Sequence, residues 1–421
     1  MIKLPYEIHC HLIEILASDP SPEAFSSLKA YGNTCSALVP PAQKHLFRVV
    51  ALWRPLLGAE TRDITQEIRR CYLLANILAQ SPVISNYISH LTIHFIFIKI
   101  TDISHGKECR QQLDFSYKSL LQLNRVTNLC IHGRGANWTS ISLRHQTIVA
   151  IQHLLLLRTI KALKLCCIQK LPFSLFSLVA GVRTLTLDQV TYGHSEPLHS
   201  SLASIQTRPT ILVLYHDFFS GSDVKELCES RAIDLSSIKT LKLKGGNVVI
   251  NVLKPLFVHG AHNINNILFL DTFIGRQGFA DLLNAHPRVR LKHLVSRVVE
   301  STVHCGIEEL FQELSALTHS RNNIERISLV VTFLSMSDGY AHRDVWAQLA
   351  KLISDEIAWP TFQLFSIDLV IFQRRRNVKV DWSTFPGTHL AALQTNRLQF
   401  RYQVTTDPDC LVDTSRVNVL M

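Results

Sequence analysis

The chain has 421 residues, beyond the roughly 250–300 at which single cores stop growing, so two or more domains or an elongated repeat array are expected. Apolar residues at 47% and charged residues at 18% exclude overall disorder. With 43 Lys and Arg against 33 Asp and Glu, the net charge is +10. Acidic partners are therefore permitted but not required, and no basic block is longer than Arg374-Arg375-Arg376.

Residues 1–50 read as a small helical head. Leu4-Pro5-Tyr6-Glu7 opens a helix, with Pro5 near the first helical position, where its missing N–H costs nothing. Ile8, Leu12, Ile15 and Leu16 then recur on one face, and Asp19-Pro20-Ser21-Pro22 stops the helix. A second helix is predicted over Glu23–Tyr31, with Phe25 and Leu28, broken by Gly32-Asn33. Thr34 is placed as the cap of a short third helix holding Cys35, Leu38 and Val39 and ended by Pro40-Pro41. A last short helix from Ala42 presents Leu46, Phe47 and Val50. So few short helices make a marginal core, which makes an apolar face here a candidate interface.

Residues 51–84 form a predicted helical bridge, with Ile64, Ile68, Cys71, Tyr72 and Ala75 at helical spacing and Ser81-Pro82 at its end. No Gly/Ser-rich or Pro-rich linker separates head from body, so a rigid join is expected. From 85 to 406, short strand patterns recur, most of them in the form apolar-x-x-Leu-x-Leu/Ile: 89–93, 126–131, 160–165, 182–187, 210–214 and 238–243. They continue at 264–270, 291–299, 324–333, 362–372 and 398–404. Helical patterns lie between them at 115–123, 147–157, 172–179, 252–258 and 279–283. The spacing of about 22–40 residues predicts strand-plus-helix repeats that must stack to bury their apolar faces. Residues 407–421 read as a polar tail.

The head resembles an F-box. Leu4, Pro5 and Glu7 match the Leu-Pro-x-Glu opening, and Ile8, Leu12, Ile15 and Leu16 match the first helix. Leu28 and Cys35 match the second half, and Leu46-Phe47-Arg48 matches the close of fungal members. Leu38 stands where the family carries a tryptophan. The body is similar in pattern to an irregular leucine-rich-repeat solenoid, with His132, Cys166, Asp188 and Lys244 near the positions of the usual turn Asn or Cys. The resemblance implies an α/β protein: an F-box head followed by a repeat solenoid with a parallel strand face. It implies a substrate-recognition subunit of a Skp–cullin–F-box ubiquitin ligase, not an enzyme itself. The adaptor surface would draw on Leu4, Pro5, Ile8, Leu12, Ile15, Leu16, Leu28 and Leu38, and a target protein would lie on the concave strand face. The second reading is a repeat scaffold whose F-box-like head is an end cap.

Lys239, Lys242, Lys244, Arg288, Arg290 and Lys292 are candidates for a basic target-binding surface, although ordinary alternation on exposed strands accounts for them more simply. Nucleic acid is not expected, because no aromatic residues interleave with these basic runs. Gly133-Arg134-Gly135 and Lys244-Gly245-Gly246 read as turns and not as phosphate loops, and neither H-E-x-x-H nor G-x-S-x-G occurs. His9 and His11 diverge on a helix, Cys166-Cys167 diverge on a strand, and Glu308-Glu309 and Asp355-Glu356 diverge on helices. No metal, cofactor or acid–base pair is therefore expected. The ten cysteines fall on apolar stretches without a C-x-x-C pair, which points to reduced thiols. No secretory pattern opens the chain and no apolar run approaches ~18 residues, so a soluble cytoplasmic or nuclear protein without membrane contact is expected.

Overall fold

The computed structural model describes residues 5–19, 21–52, 64–94, 106–138, 145–179, 181–193, 206–215, 221–244, 249–269, 278–300, 306–318, 323–333, 343–372 and 398–405. The chain divides into two compact units, Met1–Thr207 and Arg208–Met421.

The first unit opens with three helices, α1 (Tyr6–Ser18), α2 (Pro22–Gly32) and α3 (Val39–Leu46). Ser21 caps α2 by accepting the Ala24 N–H at 3.1 Å, and Pro22 takes the first helical position. Pro40 and Pro41 do not end a helix as the pattern predicts. They lie in the first turn of α3, where a missing N–H is harmless. Thr34 caps nothing; its hydroxyl donates back to the Tyr31 carbonyl at 2.7 Å, and only a 3-10 turn, Ser36–Leu38, follows. Val50 is not helical, since it belongs to β1 (Val49–Ala51).

Beyond the head, unit 1 alternates α4 (Ile64–Gln80), β2 (His90–His94), α5 (Gly106–Leu120), β3 (Asn128–Asn137), α6 (His145–Leu155), β4 (Ala162–Leu171) and β5 (Thr184–Tyr192). The helical pattern at 172–179 forms a 3-10 turn, Phe173–Leu178. Strands β1 to β5 pair in parallel in chain order. Unit 2 contains β6 (Ile211–Tyr215), α7 (Gly221–Glu229), β7 (Thr240–Lys244), α8 (Val249–Val258), β8 (Asn266–Phe269) and α9 (Phe279–Ala285). It continues with β9 (His293–Glu300), α10 (Gly306–Leu317), β10 (Arg326–Phe333), α11 (Arg343–Ser354), β11 (Leu364–Phe372) and β12 (Leu398–Thr405). Its strands are likewise parallel and in chain order.

Most strands begin two residues later than the apolar pattern suggests, for one repeated reason. Val126, Ile160, Val182, Ile238, Ile264, Leu291, Ile324 and Phe362 are buried but stand before the ladder. The spacing from each to the next inward residue, as from Val126 to Leu129, is three and not two, so the backbone must turn in between. At that turn two successive N–H groups donate to one carbonyl of the preceding repeat. Lys161 and Ala162 donate to Thr127, Arg183 and Thr184 to Lys161, Asn265 and Asn266 to Lys239, and Lys292 and His293 to Asn265. These bonds recur in both units, at 2.7 to 3.2 Å.

The inward residues then stack in register. Leu91, Leu129, Leu163 and Leu185 form one buried row in unit 1, and Leu212, Leu241, Ile267, Leu294, Ile327 and Phe365 form its counterpart in unit 2. Unit 1 also carries a stacked kink. Gly135, Cys167 and Gln189, on three successive strands, have φ of 74°, 50° and 54°. The Gly133-Arg134-Gly135 segment is thus a bulge within β3 and not a turn after it. In unit 2 the buried Glu313 carboxylate of α10 accepts the N–H groups of Gly278 and Ala280 at 2.9 and 3.0 Å, capping α9 from outside its own sequence.

A Cβ at Gly133 would stand 2.6 Å from the Cys167 carbonyl oxygen, whereas one at Gly181 would meet nothing nearer than 3.6 Å. Gly133→Ala should therefore lower the stability of unit 1 by about 1–3 kcal/mol, read as a lower urea midpoint, while Gly181→Ala should not.

Candidate functional site

The head divides its apolar residues between two roles. Ile13, Leu28, Leu38 and Ala42 form its core, with Leu16, Ala17, Tyr31 and Leu46 packed against it. Gly32 lets α2 approach α3 closely, since a Cβ there would lie 2.8 Å from that of Ala42. His9 Nδ1 and the Tyr31 hydroxyl share a hydrogen bond that ties α1 to α2. The α1 residues outside this core are exposed: Ile8 at 45%, Leu12 at 36% and Ile15 at 51%, with Pro5 and Tyr6 beside them and Phe25 exposed on α2.

Of the residues expected to meet a partner, Pro5, Ile8, Leu12 and Ile15 thus share an open surface. Leu28 and Leu38 are core residues, and Leu16 is half-buried against that core, so these three do not belong to it. Leu4 lies outside the described residues. Tyr6 on α1 and Phe25 on α2 are exposed as well. Helix α1 is apolar on two sides, and periodicity alone cannot tell which side the head buries.

The basic candidates separate as well. Lys242 and Lys244 alternate with the inward Leu241 and Leu243 on the open strand face of unit 2, where Lys244 Nζ sits 5.3 Å from the centre of the Tyr215 ring. Lys239 and Lys292 do not share that face. Each precedes its strand and supplies one of the recurrent acceptor carbonyls, and Lys292 pairs with Glu325 at 2.7 Å. Arg288 and Arg290 are exposed in the segment between α9 and β9. These four form a rim at the strand-start side of the sheet, while Arg326 joins Lys242 and Lys244 on the face.

His293 on the same face hydrogen-bonds with Ser328 at 3.0 Å, and burial, reinforced by the Arg326 charge, holds its imidazole below the ordinary 6.5. On β11, burial raises the Asp368 carboxyl against the opposing pull of Arg401. No three His, Cys, Asp or Glu side chains among the described residues converge on a possible metal position. Asp355 lies beyond α11 and not on it; its carboxylate accepts the N–H groups of Ile357 and Ala358. Among the described residues no helix is long and apolar enough to cross a membrane.

No family model and no curated protein matches the chain. Among solved structures it is similar to an internalin from Listeria monocytogenes, at 10% sequence identity and a TM-score of 0.29, over 94% of this chain and 98% of that one. A likeness this distant carries no argument about what the chain does.

Ile13→Ala should destabilise the head by about 2–5 kcal/mol, and Ile15→Ala should stay within about 0.5 kcal/mol, read by hydrogen exchange in α1 and α2. Because the folded His293 resists protonation, its contribution to stability is present above the ordinary 6.5 and is lost as the pH falls through its lowered folded value. The difference in urea midpoint between wild type and His293→Gln should shrink in that direction.

Proposed function

We propose that the chain is a non-enzymatic binding subunit. Its head docks on a Skp-type adaptor and through it a cullin, and the strand faces of its repeat units hold a target protein for ubiquitin transfer. The observation that carries this reading is the apolar stripe of Pro5, Ile8, Leu12 and Ile15, exposed on a head whose core closes without it. Contiguous apolar surface of this kind is stabilised by burial against a partner. The Leu-Pro-x-Glu opening at Leu4, Pro5 and Glu7 supports the adaptor as that partner. Catalysis is then a matter of proximity alone, and no side chain of this chain need take part in covalent chemistry.

On the body, Lys242, Lys244 and Arg326 favour an acidic or phosphorylated segment of the target, with Lys239, Arg288 and Arg290 steering it from the rim. The alternative is that the head caps the repeats structurally. It is favoured by the immediate passage of α3 through Phe47 and Arg48 into β1, the first strand of the ladder.

Co-purification of the full chain with a Skp-type adaptor tests the two. Wild type should capture the adaptor. Ile8→Asp with Ile15→Asp should lose capture while keeping the wild-type circular dichroism, because both side chains are already exposed. If folded wild-type protein captures no adaptor, the head is a cap.

A further inference from the structure

The strand face of unit 1 carries a thiol cluster to which the reading above gives no role. Cys130 on β3 stands in direct register between Thr92 on β2 and Lys164 on β4. Cys166 lies two residues further along β4, diagonal to Cys130, and Thr92 flanks Cys130 from the other side. The Lys164 ammonium is 3.4 Å from the Asp188 carboxylate on β5. Cys130 is half-buried and open to small reagents, whereas Cys166 is only 2% exposed.

A hydroxyl, a second thiol and a lysine ammonium around one accessible sulfur favour its thiolate, the nucleophilic form. Among the described side chains, His90 on β2, His132 on β3, Lys164, Cys166 and Cys167 on β4, and Asp188 on β5 are the ionisable groups near Cys130. A hydrogen bond from Cys166 is the largest influence on Cys130 and draws its thiol below the ordinary range with help from Lys164, against burial and Asp188. Cys166 itself is pushed far up by donating that bond and by burial, and so remains a protonated donor.

We propose that Cys130 is a modification site that takes up low-molecular-weight disulfides such as oxidised glutathione, with Cys166 as hydrogen-bond donor and Lys164 as the adjacent cation. The Cys130 thiolate attacks one sulfur of the disulfide. The S–S bond breaks, a mixed disulfide forms on Cys130, and the released thiolate takes a proton from solvent. The added disulfide is the oxidant, and no further reactant is needed. The site is independent of the reading of the head.

The test treats fully reduced, full-length protein with oxidised glutathione over a pH series from mildly acidic to mildly alkaline. The reaction is quenched with acid and mapped by peptide mass spectrometry. Cys130 should gain the glutathione mass before Cys35, which access alone would favour because it is exposed. The pH of half-maximal rate at Cys130 should lie below that of the same residue in the urea-unfolded chain, and C166A and K164M should each raise it. Prior modification of Cys35 at every pH, or a Cys130 profile identical in folded and unfolded chains, would overturn the proposal. Both of those comparisons use the wild-type chain and do not depend on a variant folding.

Discussion

Both repeat units depend on a single backbone device, the carbonyl that accepts two N–H groups from the next repeat. A carbonyl oxygen has two lone pairs, and here both are used within the chain. The bonds from Lys161 and Ala162 to Thr127, and from Lys292 and His293 to Asn265, set where each strand starts. They hold the register while the segments between strands vary in length, from the short passage between Lys161 and Arg183 to the long one between Glu325 and Gln363. Because the device is built from backbone, Arg48, Ser89, Thr127, Lys161, Lys239 and Glu325 can all occupy the acceptor position.

Fixed register makes the faces useful. Once Leu241 and Leu243 are committed to the buried row, Lys242 and Lys244 must stand on the open side beside the neighbouring strands' residues. The same constraint in unit 1 places Thr92, Cys130 and Lys164 in a line. The stacked kink at Gly135, Cys167 and Gln189 follows immediately, so the straight part of that face is short and the thiol cluster lies just before the bend. Gly135 takes the left-handed backbone without cost, whereas Cys167 and Gln189 adopt it at a cost, each in a strand paired on its neighbour.

The head obeys a different limit. A core built on Ile13, Leu28, Leu38 and Ala42 cannot also bury Ile8, Leu12 and Ile15, since these project from the other side of α1. A three-helix element of this size therefore leaves apolar surface, and that surface is where its function is most economically sought. Leu38 serves the core, so a change there bears first on packing within the head.

Much of the fold was legible in the sequence, because burial imposes a period on the chain. The recurrent apolar alternation located β2 to β12, the spacing between its repeats called for stacked strand–helix units, and Asp19-Pro20-Ser21-Pro22 marked the break between α1 and α2. Two other properties were not legible, since each depends on contacts between residues far apart in sequence. One was which face of an apolar helix is buried, as at Ile13 against Ile8 and Ile15. The other was which residues meet across neighbouring elements, as Cys130 does Lys164 and Glu313 does the start of α9. A periodic pattern records that a face is apolar or alternating. Only tertiary packing, which sets register and decides what stands opposite, determines whether that face becomes core, interface or reactive site.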